Sequence, residues 1–352
     1  MGALLQLCYT AQVKLRILHY PTLDPLASQA IYHGVAMAMT DTDDPVLILC
    51  SPSATYVCIG MHQSAEQELD LASCEQLELP IIRRHVGGGA VLLDQHQLFF
   101  QFVFPRHLVA QRPTEMYRQL LAPILATYRQ FGLTAYLQGS NDIHIAGKKV
   151  CGCGAASIGT ASVVVGNFIF NFDFAMMSQI IRAPSADFRR LFRHQLPHYM
   201  THLRDYNINQ QQVIDTLLQQ LALTLDRTPY SSELRSDEVH AMTTMQEELS
   251  DSLWLNSGKK TVANGIKIAA NTYLTEVNNA SGRCIRLQHQ QKLVHMEFFD
   301  QAQRFNTRLA NLIGIELSLP ALQAALASLN LCDGEIQQLA DLLWRDIVSS
   351  KI

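Results

Sequence analysis

The chain is poor in charge. Only 16% of its 352 residues are Asp, Glu, Lys or Arg, against roughly a quarter in an ordinary globular protein. With 27 basic and 31 acidic residues the net charge is −4, so no global positive field recruits nucleic acid or an anionic membrane. No apolar run nears the ~18 residues of a spanning helix, and no repeat or low-complexity tract is visible. The opening text, MGALLQLCYTAQVKLRILHY, lacks the basic start and small-residue cleavage site of a secretory signal. The expectation is a cytoplasmic protein with neither membrane nor nucleic acid as partner. Apolar residues make up 48%, which excludes disorder and suffices for a sizeable core. At about 150 residues per domain, the length suggests two domains.

Metal-binding spacing is also scarce. Of the eight cysteines, Cys8, Cys50, Cys58, Cys74 and Cys284 sit in apolar or strand-like text, the habit of free, buried thiols in a reducing compartment. Only Cys151-Gly152-Cys153 is a close pair, and one residue between thiols without a second cluster is a poor zinc signature. His194, His198 and His202 recur at four-residue intervals, but Pro197 is expected to interrupt the helix that would align them. No metal site is expected from these residues. Lys259-Lys260 reads as a solvated turn.

The first two hundred residues alternate strand-like and helix-like text. Leu15–Tyr20, Pro45–Cys50, Thr55–Gly60, Pro80–Arg84, Leu98–Phe104 and Ser162–Phe174 read as strands. Asp24–Met39, Gln63–Leu77 and Glu115–Phe131, the last capped by Thr114, carry apolar residues at helical spacing. Polar, helix-rich text follows from about 183 to 245, with amphipathic helices over Gln211–Leu225 and Ser236–Leu255. A second β-rich stretch covers Thr261–Ala269, Tyr273–Val277, Arg283–Gln288 and Leu293–Phe299. Helices around Arg304–Leu312, Pro320–Leu329 and through Trp344 close the chain. A domain boundary is expected near residue 250.

Two segments carry chemistry. In Arg83-Arg84-His85-Val86-Gly87-Gly88-Gly89-Ala90-Val91, three glycines stand between two strands. Without β-carbons the backbone can take positive φ, approach a ligand closely and aim consecutive N–H groups at an anion. The two arginines add donors suited to phosphate or carboxylate. A plain hairpin turn with an exposed arginine pair is the bland alternative, and it needs fewer glycines. Neither a Walker loop nor a dinucleotide-binding turn is present. The second segment, Asn141-Asp142-Ile143-His144-Ile145-Ala146-Gly147-Lys148-Lys149-Val150-Cys151-Gly152, reads as strand, tight turn and returning strand. Such a hairpin sets a lysine beside glycine-rich backbone with a carboxylate opposite. That lysine can neutralise an α-phosphate and a developing oxyanion together, while Asp142 can hold Mg²⁺ or the lysine itself.

In this order and spacing the two segments resemble the lipoate–protein ligase family, within the biotin/lipoate ligase superfamily distantly related to class II aminoacyl-tRNA synthetases. The matching text is Arg83 to Val91, Asp94, Asn141-Asp142-Ile143 and Lys149-Val150-Cys151-Gly152, preceded by Ile59-Gly60-Met61-His62-Gln63. Leu253-Trp254-Leu255-Asn256 falls where a Trp-rich end of the large domain is expected, and Ala280–Phe299 resembles strands of a small accessory domain. The resemblance implies an α+β fold: a mixed sheet flanked by helices over residues 1–250, and a small α+β accessory domain over 251–352. It implies activation of lipoate or octanoate with MgATP to an acyl-AMP. The acyl group then passes to a lysine of lipoyl domains, those of 2-oxo acid dehydrogenase acyltransferase subunits and of the glycine cleavage H protein. Carried over, Arg84 contacts the phosphates or the acyl end. Gly88, Gly89, Ala90, Val91 and Leu92 line the adenylate with backbone groups, Lys149 bridges acyl carbonyl and α-phosphate, and Asp142 is a magnesium or lysine partner.

The sequence departs from the family's text where the acyl pocket or loop is shaped. Leu93-Asp94 stands for His-Asp, His96-Gln97 for Gly-Asn, and Val165-Gly166-Asn167-Phe168 replaces a stretch that often carries His. Two rival readings remain. One is an ATP-independent lipoyl or octanoyl transferase working through a thioester on Cys151 or Cys153; the other is a non-catalytic binder of lipoyl domains.

Overall fold

The computed structural model describes residues 14–258, 265–269, 272–278, 284–289, 293–300, 303–304, 316–327 and 332–349. Cys8, the Lys259-Lys260 turn and, beyond Arg304, the helix expected over 304–312 lie outside the described residues.

The larger part runs β1 (Lys14–Leu23), α1 (Pro25–Ala38), β2 (Val46–Pro52), β3 (Tyr56–Ile59), α2 (Ala65–Glu68), α3 (Leu71–Gln76), β4 (Ile81–Arg83), β5 (Val91–Leu93) and β6 (Gln97–Pro105). It continues with α4 (Pro113–Leu120), α5 (Ala122–Gln130), β7 (Ala135–Gln138), β8 (Asp142–Ile145), β9 (Lys148–Ile158), β10 (Ala161–Ile169), α6 (Phe174–Ile180) and α7 (Ala186–Tyr199). Then come α8 (Gln210–Leu225), β11 (Thr228–Ser231), α9 (Ser236–Ser250) and α10 (Ser252–Asn256).

Eight of these strands form one mixed sheet in the order β11-β1-β2-β6-β10-β9-β8-β7. It is parallel from β11 through β2 and antiparallel across the rest. Strand alternation sends Leu47, Leu49, Phe100, Phe102, Val164 and Phe168 to one face, where they pack on Tyr117, Leu120 and Ile124 of α4 and α5 and on Leu217 and Leu221 of α8. Ile48, Cys50, Phe99, Val103 and Val163 go to the other face, against Ile31, Tyr32 and Val35 of α1. Each such side chain contributes about 1.5–3 kcal/mol by leaving water. Because LFFQFVF is a nearly continuous apolar run whose successive side chains point to opposite faces, the core lies on both sides of β6. The start of α1 is set locally: Asp24 accepts from Ala27 N at 3.0 Å, and Pro25 occupies the first turn.

A separate three-stranded sheet, β4-β3-β5, carries the glycine segment between its outer strands. It packs through Val57, Ile59 and Leu92 on Phe188, Phe192 and Leu196 of α7. The C-terminal strands β12 (Gly265–Ala269), β13 (Thr272–Asn278), β14 (Cys284–His289), β15 (Leu293–Asp300) and β16 (Gln303–Arg304) form an antiparallel meander. Val277 and Ile285 of that sheet pack on α11 (Leu319–Ala327) and α12 (Asp333–Ser349).

Several expected elements are cut shorter. The helix over 115–131 is two, because Pro123 opens the first turn of α5; Arg112, not Thr114, precedes α4. The helix over 236–255 breaks at Asp251, which is extended (φ −70°, ψ 127°) and caps α10 by accepting from Leu253 N. The strand expected to reach Phe174 ends at Ile169, since Asp173 caps α6. Pro197 does not interrupt α7. It sits near the C-terminal end, where the lost N–H removes one bond and the helix still closes at Tyr199. His194 and His198 are neighbours with ring centroids 5.3 Å apart, but His202 lies past the helix end beside Asp205. Among the described residues no three His, Cys, Asp or Glu converge on a possible metal, and no helix is long and apolar enough to cross a membrane.

Candidate functional site

The hairpin β8–β9 turns at Ala146-Gly147, both at positive φ (50° and 80°), as a tight primed turn requires. Its pairing carries one irregularity. His144 faces Lys149 and Ile143 faces Cys151, so Val150 is an extra residue on β9. Val150 and Cys151 consequently both turn into the core. The same bulge puts Lys149 on the face shared by Asp142, His144 and Gly152. Lys149 Nζ lies 2.9 Å from Asp142 Oδ1, a pair that is 29% and 10% exposed. Gly152 makes room for the lysine: a β-carbon there would lie 2.9 Å from its Cε. His144 was not among the expected site residues, although the alternation Asp-Ile-His-Ile signals its face. Burial lowers its pKa, against a hydrogen-bond contact to the Gly147 carbonyl and the nearby Asp142 charge.

The glycine segment meets this strand. Gly87, Gly88 and Gly89 are exposed, Ala90 and Val91 half-buried, and Leu92 buried with its carbonyl accepting from Gln97 Nε2. Gly88 has φ +112°, a conformation no L side chain takes readily. The loop is packed from two sides. A β-carbon at Gly60 would lie 2.0 Å from the Gly88 carbonyl oxygen, and one at Gly154 would lie 3.3 Å from Val86. Gly152 and Gly154 are two residues apart on β9 and share a face, so the lysine and the loop stand about 7 Å apart along one strand. Sequence reading singled out Gly60 through its Ile-Gly-x-x-Gln text, and the reason is now visible: Gln63 Oε1 accepts from Gly60 N and closes the turn under the loop.

The two arginines part company. Arg84 arches over the loop, donating to Cys58 O, Gly87 O and Gly89 O at 3.2, 3.0 and 2.9 Å. Arg83 is 1% exposed and donates to Met61 O, Gln63 O and Leu255 O, so it is a structural clamp and not a donor open to a ligand. The expectation that both offer ligand donors fails for Arg83, because strand alternation sends the two to opposite sides and Arg83 goes inward.

The cysteines behave as core. Cys151 is buried among Tyr128, Val164 and the rest of the α5/α8 cluster, and Cys153 packs against it, their sulfurs 3.5 Å apart. Alternation turns both from the Gly152 face, and burial, reinforced by Cys151, pushes the Cys153 thiol well up. That is poor chemistry for a thioester nucleophile. For magnesium, Asp142 is the carboxylate on the lysine's face. One or two carboxylates with phosphate oxygens suffice to hold that ion, so the donor set fits a metal held chiefly by a nucleotide.

Residues 24–222 match the Lipoyl protein ligase A/B catalytic domain, and the chain belongs to that family. A probable lipoate-protein ligase A of Mycoplasma pneumoniae is 24% identical over 170 residues, covering 48% of this chain and 49% of that protein. The chain thus matches about half the length of such relatives. The fold is shared with a bi-partite lipoate protein ligase of Thermoplasma acidophilum, studied with its lipoyl domain (TM-score 0.64, 24% identity, covering 70% of this chain and 96% of that one). It is also shared with a lipoate-protein ligase A bound with ATP (TM-score 0.59, 21% identity, 69% and 98%).

Proposed function

We propose that the protein is an ATP-dependent lipoate–protein ligase. A lipoate or octanoate carboxylate oxygen attacks the α-phosphorus of ATP, pyrophosphate leaves, and the acyl-AMP stays bound. The ε-amine of an acceptor lysine then attacks the acyl carbonyl, AMP leaves and the amine gives up a proton. The observation that carries the reading is the Lys149 ammonium on the same face of β9 as the exposed triple glycine. A positive charge between acyl oxygen and α-phosphate stabilises charge that develops in both steps, and the loop's N–H groups position the nucleotide. Arg84 serves the phosphates or acyl end, while Gly88, Gly89, Ala90, Val91 and Leu92 offer backbone to the adenylate. Asp142 orients Lys149 and is the residue that would hold magnesium, which supplies phosphate charge neutralisation.

The relatives' names and the lipoyl domain studied with the Thermoplasma ligase support lipoyl domains as acceptors. We extend this to those of 2-oxo acid dehydrogenase acyltransferase subunits and of the glycine cleavage H protein. Residues 1–250 are the catalytic domain in this reading and 251–352 the accessory domain. The test is lipoate- or octanoate-dependent pyrophosphate release from ATP without acceptor. Release stopping near one equivalent per enzyme and resuming on adding a lipoyl domain is the expected result. No release, with acyl groups still exchanging between carrier domains, would make it a transferase; neither activity would leave a binder.

A further inference from the structure

The glycine loop hangs between two very short strands. β4 ends at Arg83 and β5 begins at Val91, each pairing with β3 over three residues only. Main-chain bonds from Arg84 N to Ile59 O (3.0 Å) and from Met61 N to Val86 O (3.1 Å) carry the pairing into the loop's entry, and side chains add to it. A second set of contacts on the same entry comes from far along the chain. Arg83 reaches α10, donating to Leu255 O from Nε and Nη2 at 3.2 and 2.9 Å. In return Trp254 Nε1 donates to Arg83 O at 2.9 Å. Two residues on, His85 stacks flat on the Trp254 ring, centroids 4.1 Å apart and planes 14° apart, with Glu248 Oε1 of α9 3.1 Å from its Nε2. The Arg83 guanidinium also lies 5.5 Å from the centre of the Trp254 ring.

The same guanidinium donates to Met61 O and Gln63 O, at 2.7 and 2.5 Å, and so fixes the turn on whose Gly60 the Gly88 carbonyl rests. Gly258 passes over this node: a β-carbon there would meet Gln63 O at 2.0 Å and Arg83 Nη2 at 2.5 Å. The loop is therefore held at its entry and from beneath by contacts that converge on one buried arginine and one tryptophan.

We infer that Arg83 and Trp254 form a latch through which α10 sets the position of the glycine loop, making both positioning residues for nucleotide binding. This rests on the function proposed above. Neither side chain has to touch the nucleotide. Arg83 acts through the Met61–Gln63 turn and the start of the loop, and Trp254 acts through Arg83 O and the His85 ring. A residue acting this way changes how the loop meets ATP more than it changes the chemistry at Lys149.

Full-length Trp254→Ala, Trp254→Phe and Arg83→Lys are compared with the wild type in steady-state, lipoate-dependent pyrophosphate release with a lipoyl domain present as acceptor. Melting temperature is measured in parallel, and emission of Trp254 is read in a Trp344→Phe chain as ATP is added. Trp254→Ala should raise the KM for ATP about tenfold with a smaller change in kcat, and Trp254→Phe, which keeps the stack and loses the N–H, should fall between. Arg83→Lys, unable to span three carbonyls, should resemble Trp254→Ala. ATP should shift the Trp254 emission. If the variants keep the wild-type KM, or lose activity only in proportion to the unfolded fraction, the latch is overturned while the ligase reading stands. If ATP leaves the emission unchanged, the coupling of loop and tryptophan is overturned by a measurement that needs no turnover. A wild type that releases no pyrophosphate overturns the ligase reading and the latch with it.

Discussion

Lys149 and Asp142 form a 2.9 Å ion pair because Val150 is one residue too many for its strand. In a regular hairpin, Lys149 and Gly152 would point to opposite faces. The bulge turns the lysine onto the glycine-bearing face and sinks Val150 in the core.

Lys149→Met should lower acid-dependent pyrophosphate release by roughly 10²–10³-fold, the scale of losing one preorganised charge-stabilising group. Asp142, only 10% exposed, loses its cation, so the melting temperature should fall as well and release is compared per folded chain. Near wild-type release from a folded Lys149→Met chain would remove the lysine from the mechanism.

Gly60→Ala drives a methyl into the Gly88 carbonyl at 2.0 Å, and main chain cannot step aside as a flexible side chain can. The expected cost is about 1–3 kcal/mol in urea unfolding. The KM for ATP should rise as well, because the glycine loop is what gives way. An unchanged KM would mean that the loop's resting position is immaterial to the nucleotide.

The double variant Cys151→Ala, Cys153→Ala should keep near wild-type acyl transfer and lose only about 1 kcal/mol of stability. Both thiols point into the core away from Lys149. Loss of transfer with pyrophosphate release intact would bring back a thioester.

His33 of α1 is buried between Tyr32 and His85. Burial, with the His85 charge adding to it, pulls its pKa from 6.5 to about 3. The unfolded chain takes up this proton near pH 6.5 while the fold refuses it until about 3. Its stability contribution is therefore complete above 6.5 and is lost as the pH falls from there toward 3. His33→Gln should flatten the dependence of unfolding free energy on pH in that window by roughly one proton, ~1.4 kcal/mol per pH unit. An unaltered slope would assign the acid sensitivity to other groups.

Much of the large sheet was legible in the chain. The apolar run of Leu98–Phe104, the helical spacing over Asp24–Met39 and the tight turn between the strands of the lysine hairpin are local signals, and each stands where the text put it. Helix ends were less legible. Pro123 and Asp251 each divide one amphipathic stripe into two helices, since periodicity reports a face and not the continuity of the backbone.

By itself, the sequence determined which residue types could make an anion-binding loop and a charged hairpin, because glycine's missing β-carbon and lysine's charge are properties of single residues. Only the tertiary structure decided how they are used. It alone separated Arg84 over the loop from Arg83 in the core, turned Cys151 and Cys153 away from the lysine, and brought Trp254 to the loop's entry across 171 positions. Those choices depend on strand register and on contacts between distant segments. A one-residue bulge reverses every side-chain direction beyond it, and no local pattern records which carbonyl a buried guanidinium will find.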